Sequence, residues 1–215
     1  MRSRVILLVV LCGCGRSALT EDGPASLPQP VTTCASTCST APREIATPLA
    51  TTASGRPLHW LTCGGCVRVT VDAKLPASFL GRAPGLVEAW ARAGGSTLCL
   101  SFDGTPANAP DEDTLQVIHL APRLSADQPA QLTTVSFEQK TGRLRSATIE
   151  VSEGFSADRQ LIYGLGQALG LSSSRNEAHS AMTPRLDEGL TLPGPDDVTT
   201  LRAMYGEEQP WCERP

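Results

Sequence analysis

Between Leu161 and Pro184 the chain runs LIYGLGQALGLSSSRNEAHSAMTP, and this stretch restricts the fold more than any other. Leu161, Ile162, Leu165, Ala168 and Leu169 recur at the spacing that gives a helix one buried stripe, with Gln160, Tyr163, Gly164 and Gln167 on the other face. Ser156 suits the N-cap, Asp158 the first turn, and Gly170 the residue just past the end. The spacing therefore predicts a helix over Ala157 to Leu169. A polar loop follows and closes in a tight turn at Met182, with Pro184 behind it. Glycine inside a helix costs about 1 kcal/mol relative to alanine, so Gly164 and Gly166 leave this helix dependent on packing. Gly164 also predicts a smooth spot on the polar face, and Tyr163 and Gln167, at i and i+4, are spaced to hydrogen-bond to each other.

The flanking sequence predicts a sheet for that helix to pack on. Val67 to Val71 alternates β-branched and polar residues, which gives a half-buried strand. Leu86, Val87, Ala89 and Trp90 give a helix face, with Pro84 in its first turn and Gly94-Gly95 as its stop. Further strands are expected at Leu98 to Phe102, Leu115 to Leu120, Thr133 to Phe137 and Ala147 to Val151, the last two around the turn KTGR. A last helix over Asp196 to Tyr205 turns Val198, Leu201, Met204 and Tyr205 inward, and Gly206 ends it. An α/β (α+β) sandwich with a mixed sheet follows from this order. With 40% apolar residues, one domain over residues 57–208 and a short tail over 209–215 account for the core.

The N-terminus is expected to be a targeting segment, residues 1–13. Arg2 and Arg4 supply the charge, and Val5 to Leu11 an apolar run too short to span a bilayer. Leu11-Cys12-Gly13-Cys14 resembles a bacterial lipobox, which would lipidate Cys14 and place an exported protein in the cell envelope, at the outer membrane or cell surface. The alternative is an ordinary cleaved signal. Residues 14–56, rich in Ser, Thr, Pro and Ala, then read as a tether. Export favours disulfides among Cys34, Cys38, Cys63, Cys66, Cys99 and Cys212; six cysteines allow fifteen pairings, which stay open. A zinc knuckle from Cys34-x3-Cys38 and Cys63-x2-Cys66 is the competing reading. The formal charge of −4 comes without a basic stripe and aromatic residues are 4% of the chain, so nucleic acid is not an expected partner.

Taken together, VRVTV, the tryptophan-bearing helix, TTVSFEQKTGRLRSATIEVSEG, the Leu161–Pro184 stretch and DDVTTLRAMYG resemble the bacterial matrixins, metzincin-type zinc endopeptidases with the pattern HExxHxxGxxH and a methionine turn. The resemblance implies a metzincin-like mixed five-stranded sheet with two long-axis helices, an active-site-type helix, a Met turn at Met182 and a C-terminal helix. In such enzymes two histidines four apart and a third beyond a glycine hold one zinc at about 2.0 to 2.1 Å per nitrogen, and a glutamate is the general base for the zinc-bound water. Here Tyr163 stands at the first histidine, Gly164 at the glutamate, Gln167 at the second histidine and Ser173 at the third. The apolar and glycine positions of the motif remain, as Leu165, Gly166, Ala168, Leu169, Gly170 and Leu171. The motif is degenerate at every chemical position, so neither catalysis nor a cofactor is expected.

Metzincins hold extended peptides by strand addition at a sheet edge. Ser146, Ala147, Thr148, Ile149, Glu150 and Val151 resemble that edge strand, so a peptide or protein partner is expected. Zinc enters only under the alternative of an endopeptidase with an unorthodox metal site. Of the three histidines, His179 near Met182 is the one that could serve it, and is otherwise a solvated loop residue. His119 falls near a strand end, and His59 has no partner identifiable from sequence. Ser172, Ser173 and Ser174 have no histidine and carboxylate placed to activate them, and form a polar loop. A structural envelope lipoprotein is the second alternative.

Overall fold

The computed structural model describes residues 45–61, 66–95, 97–104, 114–119, 131–152, 155–186 and 189–205. The targeting segment, Cys14, most of the tether, Cys34, Cys38, Cys63, Cys212 and the 209–215 tail lie outside the described residues.

Five strands, β1 (Val67–Val71), β2 (Leu100–Gly104), β3 (Thr114–His119), β4 (Gln131–Phe137) and β5 (Leu144–Val151), form one mixed sheet in the order β2-β1-β3-β5-β4. The contacts β1·β2, β1·β3 and β3·β5 are parallel; β4 runs antiparallel to β5. A tight hairpin connects those two, closed by Gly142 N–H to the Glu138 carbonyl at 2.8 Å, as KTGR predicts. Three helices complete the described architecture: α1 (Ala77–Gly94), α2 (Ala157–Ala168) and α3 (Pro195–Tyr205). Helix α1 touches α2, α3, β1 and β2, while α2 rests on β4 and β5. The fold is thus the mixed α/β arrangement that the sequence predicts, with α2 at its centre.

Three expectations need correction. Pro84 is not in the first turn of α1 but inside it, on the exposed side. The buried stripe of Leu86, Val87 and Trp90 continues back through Ala83 and Phe79, and that packing carries the helix past a residue that removes one backbone hydrogen bond. The domain also begins before Pro57, because residues 45–56 pack on it as a strap. Ala50 N–H bonds the Gly170 carbonyl at 2.8 Å, Ser172 N–H bonds the Pro48 carbonyl at 2.7 Å, and Leu49 bridges Leu171 antiparallel. Lastly, Ser146 to Val151 are not at an edge. These residues lie in β5, with β3 on one side and β4 on the other, so the outer strand of the hairpin is β4, and β2 is outermost at the opposite end of the sheet.

Cys66 and Cys99 form a disulfide with Cα atoms 4.5 Å apart. The register of β1 and β2 explains the pairing, since Val67 is opposite Leu100 and the cysteines are the residues just before each.

Candidate functional site

Tyr163, Gly164, Gln167 and Ser173 sit where α2 meets the loop behind it. Ser156 caps α2 by accepting from Arg159 N–H at 3.4 Å, and Gly170 adopts φ +94°, a left-handed conformation that lets the chain leave the helix sharply. The last α2 carbonyls find buried donors: Trp60 indole N–H reaches Ala168 O at 2.8 Å, and the Tyr205 hydroxyl reaches Leu169 O at 3.0 Å. Burial raises the Tyr205 pKa, although the Trp60 backbone bond opposes it, so this hydroxyl stays a donor. Leu161, Ile162 and Leu165 are fully buried, each contributing about 1.5–3 kcal/mol, which outweighs about 1 kcal/mol for each helical glycine.

The face of α2 expected to be open is largely covered. Gln160 is fully buried, its Oε1 accepting from Ser152 N–H at 2.9 Å and its Nε2 donating to Ser152 O at 2.7 Å. Tyr163 is buried and does not pair with Gln167. Its hydroxyl lies 2.7 Å from Ser173 Oγ, so the residues that the expected resemblance sets at the first and third histidines bond to each other. Burial holds the Tyr163 pKa above its ordinary value, opposed by the Ser173 bond and by the positive charge of Arg159; the phenol is neutral near pH 7. Gln167 instead accepts from Gln131 Nε2 at 3.5 Å, across to the start of β4.

Gly164 offers no open spot either. A Cβ at this position would lie 2.5 Å from Ile149 Cγ2 and 3.0 Å from Gln131 Nε2, so α2 lies against β5 at a separation that only glycine permits. Gly166 does the same on the opposite side, where a Cβ would fall 2.2 Å from Met182 Sδ and 2.9 Å from the Trp90 ring. Met182 is therefore packed directly under α2, fully buried.

Two residues that sequence reasoning passed over hold the Met182 turn. Asp197, at the start of α3 and fully buried, accepts from Ser180 Oγ at 2.6 Å, Thr47 Oγ1 at 2.7 Å, Ala181 N–H at 2.7 Å and Gly194 N–H at 2.9 Å. Arg159, also buried, donates to the carbonyls of Ala181, Thr183, Arg185 and Leu190. Their signal in the sequence is weak: Asp197 reads as an ordinary first-turn acid and Arg159 as an exposed charge. Gln131 has no sequence signal, because its role depends on a partner 36 residues away.

The remaining candidates are dispersed. His179 is exposed and lies 3.9 Å from Asp196 Oδ1 at the start of α3. His59 is buried beside Arg143, with Nδ1 3.0 Å from Pro57 O; burial lowers its pKa, Arg143 lowers it further, and the Pro57 bond opposes them. His119 ends β3. Ser174 caps the loop by accepting from Asn176 N–H at 3.1 Å, and its own N–H bonds Met182 O at 2.7 Å. Among the described residues no three His, Cys, Asp or Glu side chains converge as a metal cluster.

Zinc does not fit the four motif positions as they stand. A phenol bonded to a serine, a glycine with no room for a side chain, and an amide oxygen already accepting replace the three or four His, Cys or carboxylate donors that zinc takes. No protein-family model matches the chain, and no curated protein matches it.

Proposed function

We propose that the chain is a non-hydrolytic, matrixin-like binding domain, exported and anchored to the cell envelope through a lipid on Cys14, that holds an extended peptide or protein segment along β4. The observation that carries this reading is the outer strand itself. Among the described residues β4 pairs with β5 alone, and its sequence QLTTVSF has no charge, proline or glycine to blunt the edge. Sheet edges of that kind recruit extended segments through backbone hydrogen bonds, which need no metal. The chemistry at these positions supports the non-hydrolytic part, since no general base occupies position 164, Tyr163 and Ser173 bond each other, and the Gln167 carbonyl oxygen accepts from Gln131.

The test is an array of extended heptapeptides probed with the full chain. Bound sequences are then resynthesised with alternate peptide nitrogens methylated. Loss of binding on methylation is the expected result, because a methylated nitrogen cannot complete the ladder. Binding indifferent to methylation would contradict strand addition, and cleavage that depends on added zinc would favour the endopeptidase with an unorthodox site. An array with no binder would leave the structural lipoprotein.

A further inference from the structure

The two glutamines at the junction of β4 and α2 form a polar pair whose bonding is half complete. Gln131 is 8% exposed, and its Nε2 donates to Thr133 Oγ1 and to Gln167 Oε1. Its Oε1, and the Nε2 of Gln167, have no hydrogen-bond partner among the described residues. Neither atom is sealed from solvent without a partner, unlike Thr70 Oγ1. Because one amide donates to the other, the linked pair is left with one spare acceptor, on Gln131, and one spare donor, on Gln167.

We infer that Gln131 and Gln167 read a primary amide, the side chain of an asparagine or glutamine in a segment laid along β4. This inference rests on the strand-addition reading above, and names what that strand must carry. An amide supplies both missing partners at once, its N–H to Gln131 Oε1 and its C=O to Gln167 Nε2. A carboxylate has no proton for Gln131 Oε1 and places negative charge against it; an ammonium has no acceptor for Gln167 Nε2; an aliphatic side chain leaves both unpaired. The position is suited to discrimination because a segment laid over it displaces water from both atoms, and a polar group desolvated without a partner is costly, so the wrong side chain is penalised more than the right one is rewarded. Gln131 belongs to the docking strand itself, which fixes the amide reader relative to the backbone ladder.

The experiment uses the full chain and heptapeptide pools of Ser, Thr, Val and Ala with one fixed central residue: Asn, Gln, Asp, Glu, Lys or Leu. Two hydrogen bonds at stake predict that Asn or Gln pools are retained about tenfold better than Asp, Glu or Leu pools. In Gln167→Met the pools should be retained equally, at the level of the Leu pool. Gln131→Leu should do the same and is read alongside, with a thermal melt of each variant to confirm folding. Pools that bind without regard to the central residue, or an amide preference that persists in both folded variants, would overturn the inference and leave strand addition standing. If no pool binds, and no array peptide binds, both fall together.

Discussion

Gly164 is the residue at which the site departs furthest from the chemistry its surroundings resemble. A glutamate here would have to begin at a Cβ placed 2.5 Å from Ile149 Cγ2, inside the core, so restoring the residue would not restore a base. The same contact gives a stability prediction. Gly164→Ala gains about 1 kcal/mol of helix propensity but forces overpacking that costs about 1–3 kcal/mol, so a net loss of about 1 kcal/mol is expected in urea denaturation. On an Ile149→Ala background the 2.5 Å contact is gone and only the end of the Gln131 side chain must give way, so the same substitution should cost less than in the parent. Additive effects in that cycle would show that α2 does not approach β5 as closely as described. What the sequence displayed at this scale was identity without partnership. Tyr163, Gln167, Ser173 and Met182 stood out only through a resemblance in spacing. That Tyr163 bonds Ser173, and that Gln167 turns to Gln131, depends on long-range geometry that spacing does not encode. The i,i+4 rule favoured the wrong pair because it describes an isolated helix, while here the loop beyond Gly170 and strand β4 offer competing partners.

At the scale of elements, periodicity and punctuation predicted α2, α3, β1, β4, β5 and the β4–β5 hairpin, each close to its observed bounds. Those signals are local. The assignment of the edge was not, because either strand of a hairpin can lie outermost until its other neighbour is known, and β3 takes β5. The strap was equally hidden, since residues 45–56 have the composition of a tether and gain structure only by contact. Thr47 is its anchor: its N–H bonds Thr200 Oγ1 at 2.8 Å, and its hydroxyl is one of four donors to the buried Asp197 carboxylate. A hydrogen bond to a charged group contributes about 1.5–3 kcal/mol, so Thr47→Val should lower stability by about 2 kcal/mol in denaturant titration. It should also raise amide exchange at Ala50 and Ser172, whose bonds tie the strap to the segment after α2. A variant as stable as the parent, with unchanged exchange, would mean that the strap contributes nothing to holding the turn.

For the whole molecule, one central helix explains most of the arrangement. It is buried against α1 through Gly166, against β5 through Gly164, capped by Trp60 and Tyr205, and backed by a methionine turn that Asp197 and Arg159 hold in place. These interactions maintain a scaffold in which the polar junction of α2 and β4 adjoins a strand that, among the described residues, pairs on one side alone. The fold was legible because it follows from apolar spacing and glycine placement, which the chain retains. Function was far less legible, because a role carried by backbone pairing, as proposed above, would leave almost no signature in side chains. The central claim is that a ligand is held along β4. Its most direct test is amide hydrogen exchange of the full chain with and without an array-selected peptide. Protection gained over Gln131–Phe137, with β1 and β2 unchanged, is the predicted result. A bound peptide that leaves β4 exchange unaltered and protects another surface would contradict it.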